Sequence, residues 1–104
     1  MKRVVPRPQA ELDFDSALAY YAQESSAVAE DFLREVQRAY DRIGELPGIG
    51  SPHFRPMLSD EDLRAYSLRI FPYIVFYIER DTHVDVLRLL HSHRDVLHLP
   101  IVDD

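Results

Sequence analysis

The chain has no cysteine, which removes disulfides, thiolate metal sites and cysteine nucleophiles together. Lysine is nearly absent as well, Lys2 being the only one, and 18 acids outnumber 12 bases for a formal charge of −6. Proteins that hold a phosphate backbone draw most of their affinity from excess Lys and Arg. Sequence-specific binding of nucleic acid is therefore not expected. The three glycines, Gly44, Gly48 and Gly50, lack the spacing and the Lys-Ser/Thr of a phosphate-binding loop. No motif supports a serine triad, and nothing in the sequence calls for a cofactor. The longest apolar run, residues 70–78, is nine residues, against the roughly 20 of a membrane span. Pro6 and Pro8 interrupt the charged start before any apolar stretch develops, so no signal peptide is expected. A cytoplasmic protein with no membrane partner follows.

What is present is an ordinary globular composition, 46% hydrophobic and 29% charged over 104 residues, enough apolar surface to offset the entropy of ordering one small domain, 1–104. Ala10, Phe14, Ala17, Leu18 and Tyr21 repeat at helical spacing after Pro8. The pattern predicts an amphipathic helix over 8–24, with Glu11 and Asp13 complementing the positive end of its dipole. Ser25-Ser26 offers an N-cap for a second helix whose apolar face is Ala29, Phe32, Leu33, Val36, Tyr40 and Ile43, ended by Gly44, Pro47, Gly48 and Gly50. The link is short enough to give a helical hairpin over about 8–47.

Residues 48–62 carry Gly, Pro, Ser and Asp without a period and read as a loop. Three strands then form an antiparallel meander over about 63–91. The first, 63–70, has Tyr66, Leu68 and Ile70 on one face and Arg69 on the other; Phe71-Pro72 breaks it. The second, 73–79, is apolar on both faces and belongs at the centre of the sheet. The third runs from Val84 to Leu90, and 92–104 is a tail. With Val4 and Val5 as a short first strand, the fold class is α+β, in the order β-α-α-β-β-β, a hairpin packed on one face of a small antiparallel sheet.

Few residues suggest chemistry. His91, His93 and Asp95 alternate and in an extended segment would share one side, as metal ligands could. A turn after Leu90 would scatter them, and solvated surface is the simpler reading; no metal is expected. Arg88 shares a strand face with Val84, Val86 and Leu90, a cation on an apolar stripe. An ion pair with Asp95 or Glu79 accounts for it more simply than an anion site does. Arg64, Arg69, Arg88 and Arg94 together could make a positive sheet face where His91 or His93 acts as acid or base in RNA cleavage. The acidic total charge opposes that. Tyr21, Tyr40 and Tyr66 read as core residues with hydroxyls at the rim.

The run Leu68-Arg69-Ile70-Phe71-Pro72-Tyr73-Ile74-Val75-Phe76-Tyr77, followed by Val84-Asp85-Val86-Leu87-Arg88-Leu89-Leu90-His91-Ser92-His93-Arg94-Asp95, resembles the ParE branch of the ParE/RelE toxin superfamily. The resemblance extends over nearly the whole chain, since hairpin, loop and meander come in that family's order. It implies the toxin of a type II toxin–antitoxin system, held inactive by a ParD-like antitoxin and serving plasmid stabilisation or a chromosomal stress response. ParE toxins inhibit DNA gyrase and are not hydrolases, whereas RelE relatives are ribosome-dependent mRNA endonucleases. The acidic charge and the lack of any Tyr after Tyr77 favour the gyrase branch. An mRNA endonuclease is the alternative, and a non-toxic antitoxin-binding relative is a further one. Ser92 stands where ParE sequences often have Gly. No catalytic set is transferred; Arg69, Arg88, His91, Arg94 and Asp95 form the candidate functional surface. An apolar groove beside the hairpin suits the antitoxin, with Phe14 and Tyr21 as candidate contacts.

Overall fold

The computed structural model describes residues 1–52 and 62–95; residues 53–61 of the expected loop and 96–104 of the expected tail lie outside the described part. The elements are β1 (Arg3–Pro6), α1 (Pro8–Glu24), α2 (Ser26–Glu45), a short 3-10 turn (Pro47–Ile49), β2 (Leu63–Ser67), β3 (Tyr73–Glu79) and β4 (His83–His91). This is the expected α+β order.

Pro8 opens α1, where its missing N–H leaves nothing unpaired. Ser25 serves both helices: its N–H donates to Tyr21 O of α1 (3.1 Å), and its hydroxyl accepts the N–H of Val28 in α2 (3.1 Å). The two helices therefore fold back on each other. Ala10 and Ala17 of α1 pack with Phe32, Val36, Ala39 and Ile43 of α2, while Phe14, Leu18 and Tyr21 are half-buried against the same cluster. Leu33, expected on the α2 apolar face, lies beside that stripe and is 36% exposed.

Gly44, expected to end α2, lies inside its last turn. Its reason is a close approach. A Cβ there would stand 2.8 Å from Lys2 O and 3.3 Å from a Val4 methyl, and the Lys2 N–H donates to Gly44 O at 2.9 Å. The missing side chain lets the first strand cross the helix end.

The sheet order is β1-β4-β3-β2. β2, β3 and β4 form the antiparallel meander, and β1 adds parallel to β4, Arg3 opposite His83 through Pro6 opposite Val86. β3 has a strand on each side and six of its seven residues buried, as its unbroken apolar run predicts. Tyr73, Val75 and Tyr77 join Val84, Val86 and Leu89 in the helix-side core; Ile74, Phe76 and Ile78 join Leu63, Ala65, Leu87 and Leu90 on the opposite face. The Tyr77 hydroxyl donates to Pro47 O (2.7 Å) and accepts the Gly50 N–H (2.8 Å), which ties the chain leaving α2 to the sheet.

Two features depart from strict alternation. The strand expected over 63–70 ends at Ser67, because the N–H groups of Arg69 and Ile70 turn inward and donate to the carboxylate of Glu35, the latter at 3.0 Å. Leu68 and Phe71 are consequently buried, while Ile70 stands 81% exposed instead of sharing a face with Tyr66 and Leu68. In β4 a bulge leaves Leu87 as an extra residue, Phe76 facing Arg88 and Tyr77 facing Val86. Val84 and Val86 thus lie on the helix side and Leu90 on the other, so Arg88 does not share one apolar face with all three.

At the opposite end of β4, Asp85 receives Arg7 (3.1 and 3.0 Å) and Arg80 (3.2 and 3.0 Å). Burial pushes its carboxyl pKa up, but the two arginines' hydrogen bonds outweigh this and hold it below the usual 3.8. Among the described residues no helix is long and apolar enough to cross a membrane.

Candidate functional site

A cleft of about 290 Å³ opens between α1 and the end of β4, lined by Asp13, Ser16 and Tyr20 from the helix and Tyr73, Arg94 and Asp95 from the sheet side. Although the bulge sets Arg88 opposite Phe76, its side chain reaches the same helix. Its Nε lies 2.7 Å from Asp13 Oδ2 and its Nη2 3.0 Å from Oδ1, a bidentate pair with side chains only 15% and 12% exposed. Asp13 also accepts the Leu89 N–H at 3.1 Å. The hydrogen bonds that Arg88 donates to Asp13 raise its pKa above the ordinary range, outweighing burial.

Arg88 therefore has an acidic partner, but not one of the two expected. Glu79 instead meets Lys2 at 2.8 Å, and Asp95 pairs with Arg94. Asp13 lies beyond the first turn of α1, where only Glu11 remains to complement the dipole. It docks the helix on the strand.

Past β4 the chain closes into a tight turn. His91 Nδ1 accepts the backbone N–H of His93 and of Arg94, each at 3.1 Å. Such a nitrogen must be unprotonated, which places the neutral ring's hydrogen on Nε2. Burial and the neighbouring Arg94 hold the His91 pKa below its usual 6.5, although Asp95 acts in the opposite sense. The ring packs edge-on against Tyr73, 5.2 Å between centroids. Asp95 accepts the His91 N–H (3.0 Å) and two Arg94 donors (3.1 and 3.3 Å). The Arg94 hydrogen bond, outweighing burial, keeps its carboxyl below 3.8.

The alternation of His91, His93 and Asp95 does not continue past His91, since β4 ends there and these groups engage the turn's own backbone. Among the described residues no three His, Asp or Glu side chains are placed to hold a metal ion. Arg88, His91, Arg94 and Asp95 do come together at one end of β4. Arg69 is elsewhere, in a groove with Arg38 of α2. Phe14 stacks on Phe32 (5.8 Å, 16°), and Tyr21 sits between Phe32 (5.1 Å) and Phe71 (4.9 Å); both are half-buried.

Sequence reasoning passed over two carboxylates, Asp13 as an anchor and Glu35 altogether. A signal existed for each, an acid set within an apolar helical stripe: Glu35 falls three residues after Phe32 and four before Ala39, Asp13 three after Ala10 and four before Ala17. A buried carboxylate needs donors to meet its charge, and here they come from Arg88, Leu89, Arg69 and Ile70.

The family described as the ParE toxin of the type II toxin–antitoxin system parDE matches residues 4–96 of this chain. Toxin ParE1 of Caulobacter vibrioides is 34% identical over 87 residues, spanning 81% of this chain and 82% of that protein. A solved structure described as the chromosomal ParDE TA system from P. aeruginosa aligns with a TM-score of 0.60 at 18% identity, over 88% of this chain and 96% of that one, a likeness of fold alone. A match over residues 4–96 takes in both helices and, Arg3 apart, the four strands among the described residues, and the chain belongs to the ParE family of type II toxins.

Proposed function

We propose that this toxin arrests growth by inhibiting DNA gyrase, not by cutting RNA, and that a ParD-like antitoxin neutralises it. The observation that carries the reading is the charge pairing around the cleft. A nuclease acting on messenger RNA needs cations free to meet phosphate and an acid or base free to move a proton. Here Arg88 is held bidentate by Asp13, Arg94 faces Asp95, and the Nδ1 of His91 is occupied by two amides. Balanced charge on an acidic protein suits a protein surface better than a polyanion.

In this reading Arg88, His91, Arg94 and Asp95 form the surface presented to gyrase, with Asp13 as a positioning residue. The antitoxin covers Phe14 and Tyr21, whose half-buried rings gain burial in the complex. Hydrogen exchange of α1 that is unchanged on adding antitoxin would remove these two positions from the interface.

The test is a supercoiling assay with purified gyrase, relaxed plasmid and increasing toxin. Loss of supercoiling that antitoxin restores is the expected result. Full supercoiling at excess toxin, together with cleavage of messenger RNA on ribosomes, would replace this reading with the endonuclease. Neither effect would leave a relative that only binds antitoxin.

A further inference from the structure

On the other side of the hairpin, Arg38 of α2 and Arg69 of the 68–72 turn line a shallow groove whose floor is Ala39, Tyr66 and Leu68. Both arginines are exposed, and among the described residues neither has a carboxylate partner. Arg7, Arg34, Arg64, Arg80, Arg88 and Arg94 each have one; Arg3 and Arg42 also lack one among the described residues but do not line the groove. The remaining acid at the groove, Glu35, is 6% exposed and occupied by the amides of Arg69 and Ile70. On a chain of net charge −6, the groove combines an apolar floor with a local excess of positive charge.

The adjoining turn has the properties of a contact made in advance. Ile70 is 81% exposed on it, a large apolar side chain in water. Glu35 fixes the turn from beneath, so ordering it on binding costs little additional entropy. A phosphate backbone would use the arginines but leave the floor and Ile70 without a match; a peptide bearing both carboxylate and aliphatic groups would use all of them.

We propose that this groove docks an acidic amphipathic segment of the antitoxin. One or two Asp or Glu side chains are received by Arg38 and Arg69, and an aliphatic side chain rests on Ala39, Tyr66 and Leu68 with Ile70 at its rim. Guanidinium groups suit this role because their planar fork takes a carboxylate through two hydrogen bonds. The inference rests on the reading that a cognate antitoxin binds this chain, and it assigns that antitoxin a surface.

The experiment titrates the full-length toxin with the antitoxin encoded beside it, wild type first, then Arg38→Glu/Arg69→Glu, Ile70→Ser and, outside the groove, Arg3→Glu. The double charge reversal should weaken binding by about 30-fold or more, and flatten its dependence on salt, by replacing attraction with repulsion. Ile70→Ser should weaken it by about 5-fold or more, and Arg3→Glu by less than about 3-fold. All these side chains are exposed, and Arg38→Gln/Arg69→Gln, expected at about 10-fold, serves if the reversal does not fold. Wild-type affinity in the double variants overturns the proposal. So does lost toxicity with affinity intact, which would turn the groove toward the target. Failure of the wild-type chain to bind antitoxin at all refutes the underlying reading, and is seen before any variant is compared.

Discussion

Replacing Glu35 with alanine isolates the contact that shapes the β2–β3 connection. Its carboxylate is 6% exposed and accepts two amides, those of Arg69 and Ile70. A hydrogen bond to a charged group contributes about 1.5–3 kcal/mol. Because residues 69 and 70 are exposed, their freed amides recover part of this from water. Glu35→Ala should therefore cost about 2–4 kcal/mol in all, or roughly 10–25 °C in Tm for a domain of this size. Glu35→Gln keeps one acceptor oxygen for the two amides but loses the charge and replaces the other oxygen by an NH2 group, for about 1–2 kcal/mol. Urea denaturation of the purified chain, followed by circular dichroism, measures both. A Glu35→Ala variant within about 0.5 kcal/mol of wild type would refute the argument, since surface substitutions without a structural role fall in that range.

Other substitutions probe separate parts of the fold. Asp13→Ala leaves the Arg88 guanidinium buried without its bidentate partner and should cost about 3 kcal/mol, while Asp13→Ala/Arg88→Met should recover at least half of it; additive losses in this double-mutant cycle would dissolve the pair. Gly44→Ala improves helix propensity by about 1 kcal/mol yet sets a Cβ 2.8 Å from Lys2 O, so net destabilisation of about 1–2 kcal/mol is expected, and a gain in stability would contradict the close approach. For His91, the folded pKa lies below the unfolded 6.5, so the unfolded chain binds more protons between the two values. Its contribution is complete above 6.5 and declines as pH falls through the folded pKa. His91→Asn, which keeps an acceptor for the His93 and Arg94 amides, should flatten Tm against pH just below 6.5; an unchanged slope would show that another group titrates there.

The helices were legible in the sequence because their determinants are local. Pro8, the Ser25 cap and the spacing from Ala10 to Tyr21 act within one turn of the residues they control, and the bounds of α1 and the start of α2 follow, whereas the end of α2 runs past Gly44. The central position of β3 was legible for a similar reason, its unbroken run from Tyr73 to Ile78. What escaped depends on distant groups. Alternation in β2 stops at Ser67 because a carboxylate 34 residues away takes the next amides. Alternation in β4 shifts because of a bulge at Leu87, which no residue type there announces. Arg88 could be read as needing an acid, yet its partner lies 75 residues back on α1. The candidate residues of the last motif do cluster, since consecutive residues in a turn cannot separate; Arg69 stands apart because the Glu35 contact directs the 68–72 turn toward α2.

The central claim is the target. Bacterial cells induced to make this chain alone, pulse-labelled with thymidine and leucine in the first minutes, test it most directly. Early loss of thymidine incorporation while leucine incorporation continues is the predicted result, reversed by co-expressing the antitoxin. Collapse of leucine incorporation first would contradict gyrase inhibition and assign the cleft between α1 and β4 to messenger RNA.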